Sequence, residues 1–322
     1  MKTLSVYPVS DHCDGRRFFN PHVRPRGLRE LLRWMRTRER DEWPARVPLA
    51  THPAPPERVA PGEVAVTFIG HSTFLVRTAA TVFITDPVFT SHAGPFGITG
   101  PRRVRRPGLT PGEVPTLDFV LLSHNHYDHM QPSSLALFEG TRVMAPLGVG
   151  RYLHRGPAGE GATELDWWQS SRIGDAQVTC VPAQHFSART PWDRDTSLWC
   201  GFVVRADGVT LYFAGDSGYS PQFAEIGARC PGIDVALLPI GAYEPRWFMS
   251  PVHMNPDEAV RAHLDVNARA SIGMHFGTFQ LTDEAIDEPV RALERARVDH
   301  GVSADAFDVL EFGETRVYPF SS

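Results

Sequence analysis

Lysine is almost absent from this 322-residue chain: Lys2 is the only one, and every other basic side chain is arginine. Arginine suits bidentate phosphate recognition better than lysine, but a bias this uniform reads mostly as codon usage. The 32 basic and 37 acidic residues leave a formal charge of −5, which argues against nucleic acid as the main partner. Cysteine is scarce as well. Cys13, Cys180, Cys200 and Cys230 form no C-x-x-C pair, so neither a disulfide framework nor a cysteine zinc site is indicated, and buried thiols are expected. Long apolar runs are missing too: the longest, such as Phe119 to Leu122, fall far short of the ~20 residues of a membrane span. No charged-then-apolar segment opens the chain, so a cytoplasmic protein is expected. There is no internal repeat and no low-complexity tract.

With 42% hydrophobic, 10% aromatic and 21% charged residues, the composition is that of a soluble globular protein of one large or two ordinary domains. Residues 1–60 read as an extension packed on a body formed by 61–322, because prolines such as Pro44, Pro48, Pro53, Pro55 and Pro56 crowd them. The extension carries one helical stretch, about Arg26 to Arg40, with Leu28, Leu31, Leu32 and Met35 at helical spacing between arginines. Docking on its own domain is the expected use of that stretch, with a membrane surface as the alternative. From Val64 onward short β-type runs dominate: 64–69, 73–77, 82–85, 119–123, 177–182, 198–205, 209–214, 235–240, 270–275 and 307–312. Helices are expected at Pro256 to Leu264, capped by Asn255, and at Ala285 to Val298, with weaker signals at Ser133 to Phe138 and Pro221 to Ala228. Two sheets with helices outside them make an α/β layered sandwich. The loop Gly100 to Gly108, with Arg102, Arg103, Arg105 and Arg106, is the densest basic cluster, suited either to an anionic headgroup or to solvated ion pairs.

Directly after the run ending at Ser123 stands His124-Asn125-His126-Tyr127-Asp128-His129, with four metal-ligating side chains in six residues. His124 and His126, two apart on an extended strand end, project the same way and can share one ion; Asp128 and His129 face a second. Imidazole and carboxylate without thiolate suit zinc, and also iron or manganese. Two ions need more ligands, and strand ends supply candidates: His185 after Pro-Ala-Gln, Asp216 in Ala-Gly-Asp-Ser-Gly, and His275 in Gly-Met-His-Phe-Gly.

The pattern H-x-H-x-D-H with a later His, Asp and His resembles the metallo-β-lactamase superfamily, which implies an αββα four-layer sandwich for residues 61–322. Within it the chain is most similar to N-acylphosphatidylethanolamine-hydrolysing phospholipases D. That likeness is carried by Ile69-Gly70-His71-Ser72-Thr73, Thr85-Asp86-Pro87-Val88, Gln184-His185-Phe186-Ser187-Ala188-Arg189-Thr190, Gly241 to Met249, His253 to Val260 and His275 to Phe279. The extension matches loosely, apart from Phe18-Phe19-Asn20-Pro21.

The resemblance implies two Zn²⁺ per chain. His124, His126 and His185 would hold one, Asp128, His129 and His275 the other, and Asp216 would bridge them. A water shared by the ions, its pKa lowered toward ~7, would attack the phosphodiester. His253 is the candidate proton donor or phosphate contact, with Asp128 beside it in the catalytic set. His71 and Asp86 are expected to orient the ligands. Tyr127, Tyr243, Trp247, Phe248 and Met249 are expected to meet substrate, since an acyl chain needs an apolar lining. Implied partners are a phospholipid or other phosphodiester, a membrane surface touched peripherally, and a second copy of the chain. The alternatives at the same site are a lactonase, a hydrolase of another phosphate ester, and a lipid-binding protein without turnover.

Overall fold

Period-two alternation decides how the strands are used. A computed structural model describes residues 6–24, 26–153 and 162–320. The strands are Glu63–Gly70 (β1), Thr73–Arg77 (β2), Val82–Thr85 (β3), Phe119–Leu121 (β4), Arg142–Pro146 (β5), Ala162–Leu165 (β6) and Ser170–Ile173 (β7). They continue with Ala176–Val181 (β8), Gly201–Ala206 (β9), Val209–Phe213 (β10), Val235–Pro239 (β11), Ala270–Met274 (β12), Phe307–Asp308 (β13) and Thr315–Pro319 (β14). They form two seven-stranded sheets, ordered β14-β1-β2-β3-β4-β5-β6 and β13-β12-β11-β10-β9-β8-β7. In the first sheet Phe68, Phe74, Phe83, Phe119 and Met144 face the core between the sheets, while Ile69, Leu75, Ile84, Val120 and Val143 form a separate core on the opposite face. The strands β1 to β5 are therefore buried on both sides. The Phe83 and Phe119 rings stack at 4.8 Å across paired strands.

Leu28–Thr37 (α1), Pro132–Leu135 (α2), Gln222–Arg229 (α3), Arg246–Met249 (α4), Pro256–Asp265 (α5) and Glu288–His300 (α6) are the α-helices among the described residues. α5 starts where its sequence says: the Asn255 side chain accepts a hydrogen bond from Glu258 N–H, and the Glu258 carboxylate accepts one from Asn255 N–H. α5 packs on β11, α3 and α6. This is the expected αββα sandwich.

The β-type runs lie on β1–β4 and β8–β13, but β5, β6, β7 and β14 carry no sequence signal of comparable strength. β6 (Ala-Thr-Glu-Leu), β7 (Ser-Ser-Arg-Ile) and β14 are edge strands, whose exposed faces dilute the apolar pattern. α1 corrects a second expectation. Its docked residue is Trp34, which stacks on Phe248 at 5.1 Å and donates to Asp283 at 2.6 Å, whereas Leu28, Leu32 and Met35 are exposed. The wide, flat indole fills the seat, and the leucine stripe turns outward.

The segment before α1 is tied down by charge as well as by packing. His12 stacks on Trp167 at 4.2 Å, and its ring nitrogens meet Asp11 at 2.6 Å and Asp166 at 2.8 Å. Burial disfavours the charged ring, but the two carboxylates outweigh it and raise its pKa above the usual value. A raised folded-state pKa means that the contribution is fully present below about pH 6.5 and is lost as pH rises through the raised value. His12→Leu is thus expected to lower the melting temperature more at about pH 6 than at about pH 9. Thermal unfolding of both proteins across that range checks it, and a pH-independent difference would contradict the ion pair.

Candidate metal centre

Every candidate ligand follows a strand end on the same edge of the sandwich. β4 leads to His124, His126, Asp128 and His129; β8 leads to His185, β10 to Asp216 and β12 to His275. β1 leads to His71 and β3 to Asp86. Parallel pairing of β3 with β4 and of β10, β11 and β12 with one another aligns these ends. His71 (φ 60°), Asp86 (φ 32°) and His275 (φ 64°) have left-handed backbone conformations, each costing about 1–3 kcal/mol. Strain of that kind is tolerated where the surrounding structure over-determines a site.

The structure brings all seven sequence-chosen ligands together. His124, His126 and His185 converge: His124 Nε2 lies 2.8 Å and His185 Nε2 3.2 Å from His126 Nδ1. Asp128, His129 and His275 form a neighbouring set with His71, whose Nε2 lies 3.1 Å from Asp128 Oδ2. Asp216 stands between the sets, its Oδ2 3.0 Å from His275 Nε2, 3.1 Å from His129 Nε2 and 3.8 Å from His185 Nε2.

The rings are aimed from behind. Asp86 accepts from Ser123 N–H (2.7 Å), Ser123 O–H (2.5 Å) and His129 Nδ1 (2.6 Å). Ser123 Oγ in turn lies 2.9 Å from His124 Nδ1, so one buried carboxylate orients a ring in each set. His185 Nδ1 donates to the Val252 carbonyl at 2.9 Å. These partners leave the inward nitrogens of His124, His129 and His185 free to bind a cation.

Electrostatics agree with that use. Burial, reinforced by neighbouring imidazoles at His124 and His126 and partly offset by Asp216 at His185, lowers their pKa values, to about 3 for His126 and about 4 for His185, so these rings are neutral and can offer a lone pair to a cation. At His129 and His275 burial is outweighed by Asp216 and Asp128, which raise both, His275 to about 9. Asp216 and Asp128 stay well below the ordinary carboxylate range despite burial, through the same histidines. Asp216 Oδ1 is buried without a hydrogen-bond partner, and His129 Nε2 and His275 Nε2, though close to Asp216 Oδ2, make no well-aligned hydrogen bond. Buried polar atoms of this kind are rare unless an ion or water uses them. The donor set and these atoms fit divalent cations with nitrogen and oxygen ligands.

His253 lies at the rim, its Nδ1 4.0 Å from Asp216 Oδ2 and without a hydrogen bond, and burial holds its pKa well below the usual value. Tyr127 is half-buried; its hydroxyl donates to the Arg189 carbonyl at 3.0 Å, and the Arg189 guanidinium lies 4.0 Å over its ring. The other substrate-contact candidates lie on and before α4. Phe248 stacks on Trp34, Trp247 lies under Arg33, and Met249 and Tyr243 are buried. Tyr243 and Trp247 line a cavity of about 730 Å³ with Trp34, Arg38, Glu284 and Arg295, and none of the seven candidate ligands borders it. Phe248 and Trp247 seat α1, while the Met249 carbonyl accepts from the His253 N–H at 2.9 Å. The basic loop is likewise internal in part: Arg103 donates to the Val88 and Thr90 carbonyls.

Sequence reasoning missed Arg189 as a site residue. Its Nη1 donates to the Asn125 and Met130 carbonyls at 2.7 and 2.8 Å, bracing the loop that carries the motif. Its place in the Gln184 to Thr190 block was the available signal. Ser123, directly before the motif, was missed as well.

A sequence profile described as the beta-lactamase superfamily domain matches residues 81–276. The chain belongs to this superfamily, and a relative from Opitutus terrae, 32% identical over 66% of this chain and 85% of its own length, is described as a metal-dependent hydrolase. The chain is 37% identical, over 77% of its length and 74% of the relative's, to the N-acyl-phosphatidylethanolamine-hydrolyzing phospholipase D 1 of Caenorhabditis elegans. It is also 40% identical, over 74% of its length, to an uncharacterised protein of Mycobacterium tuberculosis, of whose length the match spans 65%. Among solved structures, the metallo hydrolase Igni18 of Ignicoccus hospitalis shares the fold at a TM-score of 0.59 and 22% identity, covering 80% of this chain and all of that one.

Proposed function

We propose that the protein is a dinuclear metal-dependent phosphodiesterase of phospholipase D type, hydrolysing N-acyl-phosphatidylethanolamine to N-acylethanolamide and phosphatidic acid. The observation that carries the reading is Asp216 between two converging ligand sets, in a chain 37% identical to a phospholipase D with that lipid in its name. His124, His126 and His185 would hold one ion and Asp128, His129 and His275 the other, with Asp216 shared. When bound, such ions, zinc first by ligand chemistry and iron or manganese next, supply charge neutralisation at phosphoryl oxygens and a water acidified to near neutrality.

The chain's own residues do the rest. The Asp86–Ser123–His124 and Asp86–His129 bonds fix which nitrogen each ring presents. His253, at the rim and neutral, offers its ring N–H as a hydrogen-bond donor to a phosphoryl oxygen or to the departing ethanolamide oxygen, which is a poor leaving group without such a contact. His253→Ala is accordingly expected to keep near-normal metal content while losing about 100-fold in turnover. Elemental analysis beside initial rates decides, and unchanged turnover removes His253 from the mechanism.

The lipid assignment is tested with purified zinc-loaded protein and N-acyl-phosphatidylethanolamine in detergent micelles, with products followed by mass spectrometry. N-acylethanolamide and phosphatidic acid are expected. Cleavage of a simple phosphodiester without those products removes the lipid and leaves the site.

A lipid substrate calls for access to a surface. No helix among the described residues is long and apolar enough to cross a membrane. On α1, however, Leu28, Leu32 and Met35 are exposed on one face beside Arg29, Arg33 and Arg36, an arrangement suited to lying on an anionic bilayer. The Leu28→Glu, Leu32→Glu double variant is expected to cosediment less with anionic vesicles and to keep its rate on micellar substrate. Equal cosedimentation would locate any membrane contact elsewhere.

A further inference from the structure

His185 lies in a stretch with no strand beside it. β8 ends at Val181, and the peptide groups that follow are met by side chains from other parts of the molecule. Gln184 N–H donates to Ser217 Oγ at 2.9 Å. At His185 both peptide groups go to a single residue: its N–H donates to Asn20 Oδ1 at 3.1 Å, and its carbonyl accepts from Asn20 Nδ2 at 2.7 Å. A carboxamide carries one acceptor and donors on one planar group, so it can pair with a residue as the backbone of a neighbouring strand does. Aspartate offers no donor, and alanine offers neither group.

Asn20 is itself held rigidly. It is buried, and Pro21 after it favours an extended backbone at residue 20. Phe18, two residues before, is buried in the core between the sheets, and its N–H donates to the Asp195 carbonyl at 2.8 Å. Phe19 N–H donates to the His12 carbonyl at 2.9 Å, and His12 is in turn bound to Asp166. Asp195 N–H also donates to the Ser187 carbonyl at 2.8 Å. The segment therefore grips the loop from His185 to Asp195 at both ends.

We infer that Asn20, supplied by the N-terminal extension, is a positioning residue for the ion held by His124, His126 and His185. With the His185 backbone fixed by Asn20 and its Nδ1 fixed by the Val252 carbonyl, Nε2 has one direction left, toward His126 and Asp216. The extension is thereby a structural part of one ligand set, and none of its described residues hydrogen-bonds to Asp128, His129 or His275 of the other. This rests on the metal reading of the site.

The test is metal titration of the full chain against a chromogenic chelator, with zinc equivalents counted by elemental analysis. Wild type is expected to bind two equivalents; binding none would defeat the metal reading itself and is thereby distinguishable from failure of the Asn20 assignment. In Asn20→Ala one equivalent is expected to weaken by about 10- to 100-fold while the other keeps its affinity. Asn20→Asp, which keeps the acceptor and loses the donor, is expected to weaken the same equivalent less. Two equivalents at wild-type affinity in either variant, or equal weakening of both, overturns the inference. Should both variants fail to fold, hydrogen exchange on the wild type decides: the His185 amide is expected to exchange as slowly as the inter-sheet core, and fast exchange overturns the clamp.

Discussion

Asp216→Asn is expected to lose at least one metal equivalent and more than ~10³-fold in hydrolysis, together. One carboxylate oxygen stands within 4.0 Å of nitrogens from His129, His185, His253 and His275, which come from both ligand sets and the rim. Asparagine has nearly the same shape but no charge, and its NH₂ group cannot bind a cation. Both ions would lose the anion they share, so neither the nucleophile nor the charge neutralisation would survive intact. Elemental analysis and initial rates on the same preparation are the measurements. Two equivalents with full activity would show that the bridging role belongs elsewhere.

The second large effect is expected at Asp86, which touches neither ion in the proposed arrangement. Asp86→Asn places an NH₂ donor where Ser123 N–H, Ser123 O–H and His129 Nδ1 all need acceptors. At least one of these buried donors is then unpaired, at about 1–3 kcal/mol of stability. His124 and His129 lose their common support, so metal affinity should fall by about 10- to 100-fold in both sets. Denaturant unfolding of the metal-free protein reads the first effect and chelator competition the second. The contrast with Asn20, which serves one set alone, separates general from selective support. Unchanged affinity in Asp86→Asn would mean that the rings are aimed by packing alone.

The aromatic cluster shows where sequence reading stops. Trp247, Phe248 and Met249 have the composition of an acyl-chain lining, yet Phe248 and Trp247 meet Trp34 and Arg33 of α1. Composition reports that a surface is apolar and says nothing of what covers it. α1 makes the same point from the other side: its leucine stripe satisfied helical periodicity, while a single indole with a hydrogen bond to Asp283 decided which face docked. Asn20 was visible only as part of a short block, because a bond between residues 165 positions apart leaves no local pattern.

The chain by itself determined the layers and the ligands. Short β-forming runs at β1–β4 and β8–β13 set the strands of the two layers, and four ligating side chains packed into six residues at a strand end are a local, short-range signal. Tertiary structure alone decided that His185, Asp216 and His275 point at that strand end, that Asp86 supports a ring in each set, and that the extension holds His185 from behind. Those facts depend on strand order and on loops folding back across the sheet edge, and chain closure of that range is fixed by packing in three dimensions, not by neighbouring residues.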